Sequence, residues 1–492
     1  MVKKNKPKVE EPIKKEPAAV KDYLTTVKEY LTLGHIQILL LLTTIGILTR
    51  FYNLSFKSLW LDEASTLAMS KLSLTEIWNT GFLDNNPPLY HYLTHLMLVF
   101  GNSEFVLRFL PALMGIAVIP LIYLIGKELK DKNVGLVAAS LMTFSPFALH
   151  YAQEAYSYSM VLFVSSLMIL FYLKALRNGT RNNWMLFGAF SALSFWTHFY
   201  TFVPILVMYI HILITFRNDI FAANISKLKN TAYALIITFV ASVPVMYMAS
   251  YRFFTLTSTA VTYGVLGIAL IPETLFRFSG FNWIIAAIYL CLMIVGIIYL
   301  SIKDKTMCLL SVMMMILPIV FSVILSSHMT MNPRYLIPLL PFFFVTIACC
   351  YPILEKIISN KRLIFGVIGL IILINTTAIS SYYTSYSSED WRGYSEKLTM
   401  LTVPGDIVVA VPGYMVSPLR YYYNNATDGT TIMYADTAAE MDVALSQKAN
   451  HNVYFVVTGD INAANPQGDA VQWLNTKSKA LGEYIGIYTF SA

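Results

Sequence analysis

Long apolar runs recur along this chain from about residue 35 to residue 380, separated by short polar or basic loops. A helix needs roughly 17–25 apolar residues to cross a bilayer, and the pattern predicts about 11 such helices. They are expected at 35–50, 105–126, 134–150, 157–176, 184–196, 201–216, 231–250, 283–301, 307–326, 336–351 and 363–380. The run at 89–100 is too short to cross and reads as a helix lying at the interface, inside a long outer loop over 51–104. From residue 382 to residue 492 the pattern changes: short apolar strands at 406–411 and 452–458 alternate with helical stretches at 438–448 and 470–481, which predicts a small α/β domain. Residues 1–34, rich in Lys, Glu and Pro, read as a disordered tail ahead of a transmembrane domain over 35–381.

Composition agrees with that division. The 492 residues are 56% hydrophobic and 13% charged, about half the ~25% charge of a soluble domain. The net charge of +7 does not point to nucleic acid, because the basic residues cluster in alternate short loops. Lys127, Lys130 and Lys132 form one cluster, and Lys174, Arg177 and Arg181 another; Lys303 and Lys305 follow further on. Basic loops face the cytoplasm. An odd number of spans then sets the C-terminal domain outside an integral plasma-membrane protein with a cytoplasmic N-terminus, and makes membrane lipids its surroundings. Lys57, Lys71 and Arg252 are the exceptions, basic residues on the outer side. The four cysteines lie in or beside apolar segments, so no disulfide framework is expected. The first span reads as an uncleaved anchor, since a polar stretch precedes it and no small-residue cleavage site follows.

Sorting polar residues by side gathers Asp62, Glu63, Asn86, Gln153, Glu154, His198, His328, Arg334 and Tyr335 at the outer ends of spans or in outer loops. Four loops thus supply groups to one outward-facing cavity. Asp62 is either a general base or an N-cap of the helix that follows. Glu63 supports it, binds substrate or sits in the first helical turn. Arg334 either holds a phosphate through its guanidinium fork or snorkels to lipid headgroups. His198 is either packed among aromatics or in contact with phosphate. Gln153 and Glu154 bind sugar hydroxyls or satisfy helix ends. Asp390, Trp391, Arg392 and Tyr421 to Tyr423 are candidate substrate contacts, with packing between the C-terminal and membrane domains the favoured reading. No spacing resembles a zinc motif. No cofactor is called for, and a divalent metal is left open.

An ordered set of short pieces carries a family resemblance: Leu59-Trp60-Leu61-Asp62-Glu63-Ala64, Asn86-Pro87-Pro88-Leu89-Tyr90, Val106-Leu107-Arg108-Phe109, Tyr151-Ala152-Gln153-Glu154-Ala155, Thr197-His198-Phe199-Tyr200 and Arg334-Tyr335-Leu336-Ile337-Pro338. With these the chain resembles the GT-C superfamily of polyprenyl-phosphate-sugar-dependent glycosyltransferases, in the protein-mannosyltransferase-like and aminoarabinose-transferase-like branch. The resemblance implies transfer, with inversion, of a sugar from a polyprenyl-phosphate carrier to an acceptor hydroxyl on the outer face. The acceptor class, whether protein, lipid or glycan, stays open. It implies that Asp62 is the base and that Arg334, with His198, stabilises the departing phosphate; Glu63, Asn86, Gln153, Glu154 and Tyr335 are the remaining substrate-binding candidates. Two positions depart from the family pattern. Tyr156 stands where members carry arginine, and Asn86 where relatives carry a basic residue before the Pro-Pro pair. The alternative reading is a transporter or flippase, which would place ionisable groups near the bilayer midplane and show repeated halves.

Overall fold

The computed structural model describes residues 34–492, apart from 85, 223, 257–263, 328–330, 359, 386–388, 424–428 and 449. The lysine-rich tail and His328 therefore lie outside the described residues.

The apolar runs are helices. The first is α1 (Gly34–Phe51), and the outer segment after it folds into three short helices, α2 (Leu61–Ser70), α3 (Leu74–Thr80) and α4 (Leu89–Met97). The chain continues through α5 (Glu104–Leu129), a bent pair α6 (Lys132–Thr143) and α7 (Pro146–Ala152), then α8 (Tyr158–Asn178), α9 (Arg181–Thr197), α10 (Phe202–Thr215) and α11 (Ile225–Leu256). Next come α12 (Trp283–Lys303), α13 (Lys305–Leu325), the run Pro333–Ile357, and α14 (Lys361–Thr384). Among the described residues eight helices are long and apolar enough to cross a membrane, or nine with the α6 and α7 pair, which bends by 63°. The other two predicted spans coincide with α9 and with the apolar stretch Phe199–Thr215. They are helical as expected, each 17 residues long, at the lower end of the length that crosses a bilayer.

Local chemistry sets the boundaries. Ser103 accepts from the Val106 N–H at the start of α5, and Asp131 accepts from Asn133 and Val134 at the start of α6, each occupying amides that the first helical turn leaves unpaired. Apolar side chains gain little from meeting each other in lipid, so close helix contacts fall to small residues. A Cβ on Gly126 would stand 2.7 Å from the Gly135 Cα, and one on Gly188 2.6 Å from the Ala234 carbonyl. Those glycines are where α5 meets α6 and α9 meets α11. The run Pro333–Ile357 is the central element: 89% of its apolar window is buried inside the protein, against 17% for α1. Arg334, the one arginine in that segment, stands at its start.

The C-terminal domain carries α15 (Trp391–Leu401) and a five-stranded sheet, β1 (Ile407–Val411), β2 (Thr431–Tyr434), β3 (Val453–Val457), β4 (Lys479–Tyr484) and β5 (Ile487–Ser491), in the order β2-β1-β3-β5-β4. The first three strands are parallel and the last two antiparallel. β1 and β3 are buried at every position and read in the sequence as continuous apolar runs, as doubly covered parallel strands do. Helices α16 (Val416–Tyr422), α17 (Ala438–Ser446) and α18 (Asp469–Lys477) complete it. This domain clasps the loop ahead of α2. The Ser58 hydroxyl donates to the Glu389 carbonyl at 3.0 Å and accepts from the Trp391 N–H at 3.1 Å, while the Leu59 N–H donates to the Tyr422 hydroxyl at 2.7 Å. Arg392 reaches the Ser55 and Phe56 carbonyls and Glu104.

Candidate active site

The α2 N-terminal turn holds both acids, and the structure sends them in different directions. Trp60 sits at the N-cap position, so Asp62 is not the cap. The Glu63 carboxylate is 1% exposed and fully engaged. Its Oε1 accepts from Arg108 Nε at 2.7 Å and from the Ala155 N–H at 2.7 Å; its Oε2 accepts from Arg108 Nη2 at 2.6 Å and the Trp60 N–H at 3.3 Å. Arg108 spends its other donors on the carbonyls of Leu54, Lys57 and Ser58. The guanidinium and carboxylate thus tie α5, the outer loop and the 153–157 loop into one knot.

Asp62 points the other way. Its Oδ2 lies 3.1 Å from Arg334 Nη1, a half-buried pair in which each side chain keeps about a fifth of its exposure. Arg334 Nε is buried without a hydrogen-bond partner among the described residues, and the rings of Tyr158, Trp60 and Tyr335 lie 5.4, 5.7 and 5.9 Å from the guanidinium. Burial raises the proton affinity of Asp62, the Arg334 charge opposes that, and Asp84 and Glu63 add to it.

Asp62, Asn86, His198, Arg334 and Tyr335 line one cavity of about 290 Å³. Its other side is apolar, formed by Phe199, Phe202, Val203, Phe253, Phe321 and Leu325. His198 Nδ1 accepts from the Tyr200 N–H at 3.1 Å, which fixes the proton of the neutral ring on Nε2. Burial, followed by the Arg334 charge, lowers this histidine to about 3; it is a neutral N–H donor and not a cation. The two positions that depart from the family pattern meet here: Asn86 donates to the Tyr156 hydroxyl at 2.6 Å. Positive charge arrives from another element, because Arg252 near the end of α11 lines the same cavity, held by the carbonyls of Leu83 and Asp84.

Gln153 and Glu154 do not share that cavity. The Gln153 amide donates to the carbonyls of Thr49, Arg50 and Tyr52 at 3.3, 3.0 and 2.9 Å, joining the end of α1 to the loop after α7. Glu154, with Glu63 and Arg108, lines a second cavity of about 180 Å³. Among the described residues no cluster of three or more His, Cys, Asp or Glu is placed to hold a metal ion. The sequence reading passed over Lys57, Tyr158 and Arg252 as site residues. For Lys57 and Arg252 the signal was present: both break the positive-inside pattern, and each lines a cavity.

Residues 85–248 match the family model of dolichyl-phosphate-mannose-protein mannosyltransferases. The matched segment, a third of the chain, falls in the branch that the ordered pieces resemble. A curated relative from Aquifex aeolicus (strain VF5), described as an uncharacterized protein, is 30% identical over 104 residues, 19% of this chain and 21% of that relative; the chain spans about a fifth of the relative's length. Among solved structures, ArnT from Cupriavidus metallidurans bound to undecaprenyl phosphate has a TM-score of 0.63 at 13% identity, covering 92% of this chain and 97% of that one. Its apo form also gives 0.63, at 12% identity and coverage of 96% and 98%. The oligosaccharyltransferase AglB from Archaeoglobus fulgidus, in complex with an inhibitory peptide and a dolichol-phosphate, gives 0.55 at 12% identity, covering 94% and 74%. At these identities the likeness establishes the fold.

Proposed function

We propose that this integral membrane protein is a glycosyltransferase that moves a sugar from a polyprenyl-phosphate carrier to an acceptor hydroxyl on the outer face of the membrane, inverting the anomeric centre. The observation that carries the reading is the Asp62–Arg334 pair at the polar end of an otherwise apolar cavity. A polyprenyl chain suits the apolar wall, and its phosphate then lies beside Arg334. The family match and the ArnT structure, whose bound molecule is undecaprenyl phosphate, support the same donor class.

In this mechanism the acceptor oxygen attacks the anomeric carbon as the bond from that carbon to the phosphate oxygen breaks. Asp62 takes the acceptor proton, and its raised proton affinity makes it a stronger base than an ordinary aspartate. The electron pair leaves on the lipid phosphate, where charge grows. Arg334, with its unpartnered Nε, and the Nε2–H of neutral His198 meet that charge as donors already in place. Arg252 adds a second cation that the family pattern takes from other positions. Glu63 acts at one remove, by holding the turn that carries Asp62. The positive-inside pattern supports an N-terminus in the cytoplasm and a C-terminal domain outside.

The test is transfer by purified protein from undecaprenyl-phosphate mannose and related carriers, read by mass spectrometry, with Asp62→Asn as the comparison. The variant is expected to bind undecaprenyl phosphate and transfer little sugar. Unchanged transfer by it removes Asp62 as the base.

A further inference from the structure

Two polar atoms in the wall of the first cavity are buried without a hydrogen-bond partner among the described residues, Arg334 Nε and Asn86 Oδ1. One is a donor and the other an acceptor. A lipid phosphate answers the first and not the second, because its oxygens accept hydrogen bonds and have no proton to give a carbonyl. Asn86 is 3% exposed, and buried polar groups are otherwise paired, so its Oδ1 describes a proton donor that the protein lacks on its own. The neighbouring side chain supplies the complement. The Asn86 Nδ2 donates to the Tyr156 hydroxyl at 2.6 Å, and a phenol that accepts still has its own proton to give. Tyr156 lines the same cavity. The dyad therefore offers one acceptor and one donor, side by side and without formal charge.

We propose that Asn86 and Tyr156 read a ring hydroxyl of the sugar being transferred, the hydroxyl donating to Asn86 Oδ1 and accepting from the Tyr156 phenol. The assignment rests on the glycosyl-transfer reading above. A hydroxyl is the group on a sugar that satisfies both halves of the dyad at once: an ammonium donates but cannot accept from Tyr156, and a carboxylate accepts but cannot donate to Oδ1. The sugar so selected is uncharged where it meets the dyad. Position argues for the donor's sugar over the acceptor. Arg252 donates to the Leu83 carbonyl at 2.6 Å and to that of Asp84, and the backbone from Asp84 to Asn86 spans at most ~7 Å, so the dyad stands beside the second cation of the cavity. The transferred sugar is bonded to the phosphate through its anomeric carbon, and its ring lies next to whatever those cations hold. Asp62 lines this cavity too, which keeps a ring held by the dyad on the same side of the α2 turn as the base.

The experiment measures, by thermophoresis in detergent, the affinity of the full-length protein for undecaprenyl phosphate, undecaprenyl-phosphate mannose and undecaprenyl-phosphate glucose, with Tyr156→Phe and Asn86→Leu beside the parent. At least one sugar-bearing lipid should bind the parent ~10-fold more tightly than the bare phosphate does. Each variant should lose about 5- to 10-fold of that gain, the scale of a buried polar group left unpaired, and both should bind undecaprenyl phosphate as the parent does. The double variant should lose little more than either alone, because one hydroxyl serves both side chains. A gain that survives in the variants overturns the proposal, and if their transfer falls all the same, the dyad belongs to the acceptor. Equal weakening of undecaprenyl phosphate overturns it as well, since a dyad that only shaped the loop, or that held the phosphate, would give that result. A parent that binds all three lipids equally overturns the proposal and leaves the transferase reading standing. A parent that binds none of them overturns both.

Discussion

Adjacent acids in one helical turn each find an arginine, and the two pairs do different things. Glu63–Arg108 is closed: every donor of the guanidinium is used, and the carboxylate accepts four hydrogen bonds at 1% exposure. Asp62–Arg334 is open: one contact at 3.1 Å, an unpartnered Nε, and a cavity on both side chains. Each joins one carboxylate to one guanidinium. What separates a structural knot from a reactive pair is the number of hydrogen-bonding positions left over for something else.

The largest effect expected from that contrast is on turnover. Asp62→Asn should lower transfer by ~10²–10⁴-fold, the usual contribution of a general base, and leave the melting temperature near that of the parent. Glu63→Gln should do the reverse. Removing one partner of a buried charge pair leaves the other uncompensated and costs about 3–5 kcal/mol, so the variant should melt far below the parent in detergent. A Glu63→Gln protein that melts like the parent yet is inactive would break the comparison, because it would give both acids the same kind of role.

Arg334→Gln comes next, with a loss of ~10²-fold in kcat, the scale of one donor to a developing oxyanion. It also sharpens the electrostatics. Burial raises Asp62 and Arg334 pulls it back; the base works deprotonated, so transfer is present above the folded-state pKa and falls as pH drops through it. Taking away the cation removes the opposing pull, and the acid limb of the pH profile should move to higher pH. A limb that stays in place, or moves down, separates Arg334 from Asp62.

How much of this was visible beforehand follows from the physics of each part. The eleven apolar runs were legible because a helix in lipid must be apolar along its length, and the inner strands β1 and β3 because both faces are covered. The strands β2, β4 and β5 were not. β4 is exposed along most of its length and contains lysine, glycine and glutamate, and the predicted helix at 470–481 ran into it because its first two thirds are indeed α18. At the site, sorting by side found Asp62, Asn86, His198, Arg334 and Tyr335, which share a cavity. It did not separate Glu63, Gln153 and Glu154 from them, because all three lie within one or two residues of a turn that faces the other way. Spacing along a loop does not say which wall of a partition a side chain lines; the bonds of Arg108 and of the Gln153 amide do.

The smallest effect belongs to His198, and its size is the finest test of the open pair. A histidinium beside a leaving phosphate would be worth as much as an arginine, and its loss would compare with that of Arg334. The structure denies it that charge: the ring is buried, Arg334 lies close enough to disfavour a second cation, and its pKa is lowered to about 3. What remains is a single N–H donor on Nε2, oriented by the bond from the Tyr200 amide to Nδ1. His198→Gln keeps a donor amide at a similar reach and should cost about 2-fold in kcat, whereas His198→Ala loses the donor and should cost ~1–2 kcal/mol, about 5- to 30-fold. Neither variant should alter the pH profile between 5 and 8, since the group they replace does not titrate there. A limb in that range that disappears with His198→Gln would show an imidazolium at work and would move the second cation of the site from Arg252 to His198.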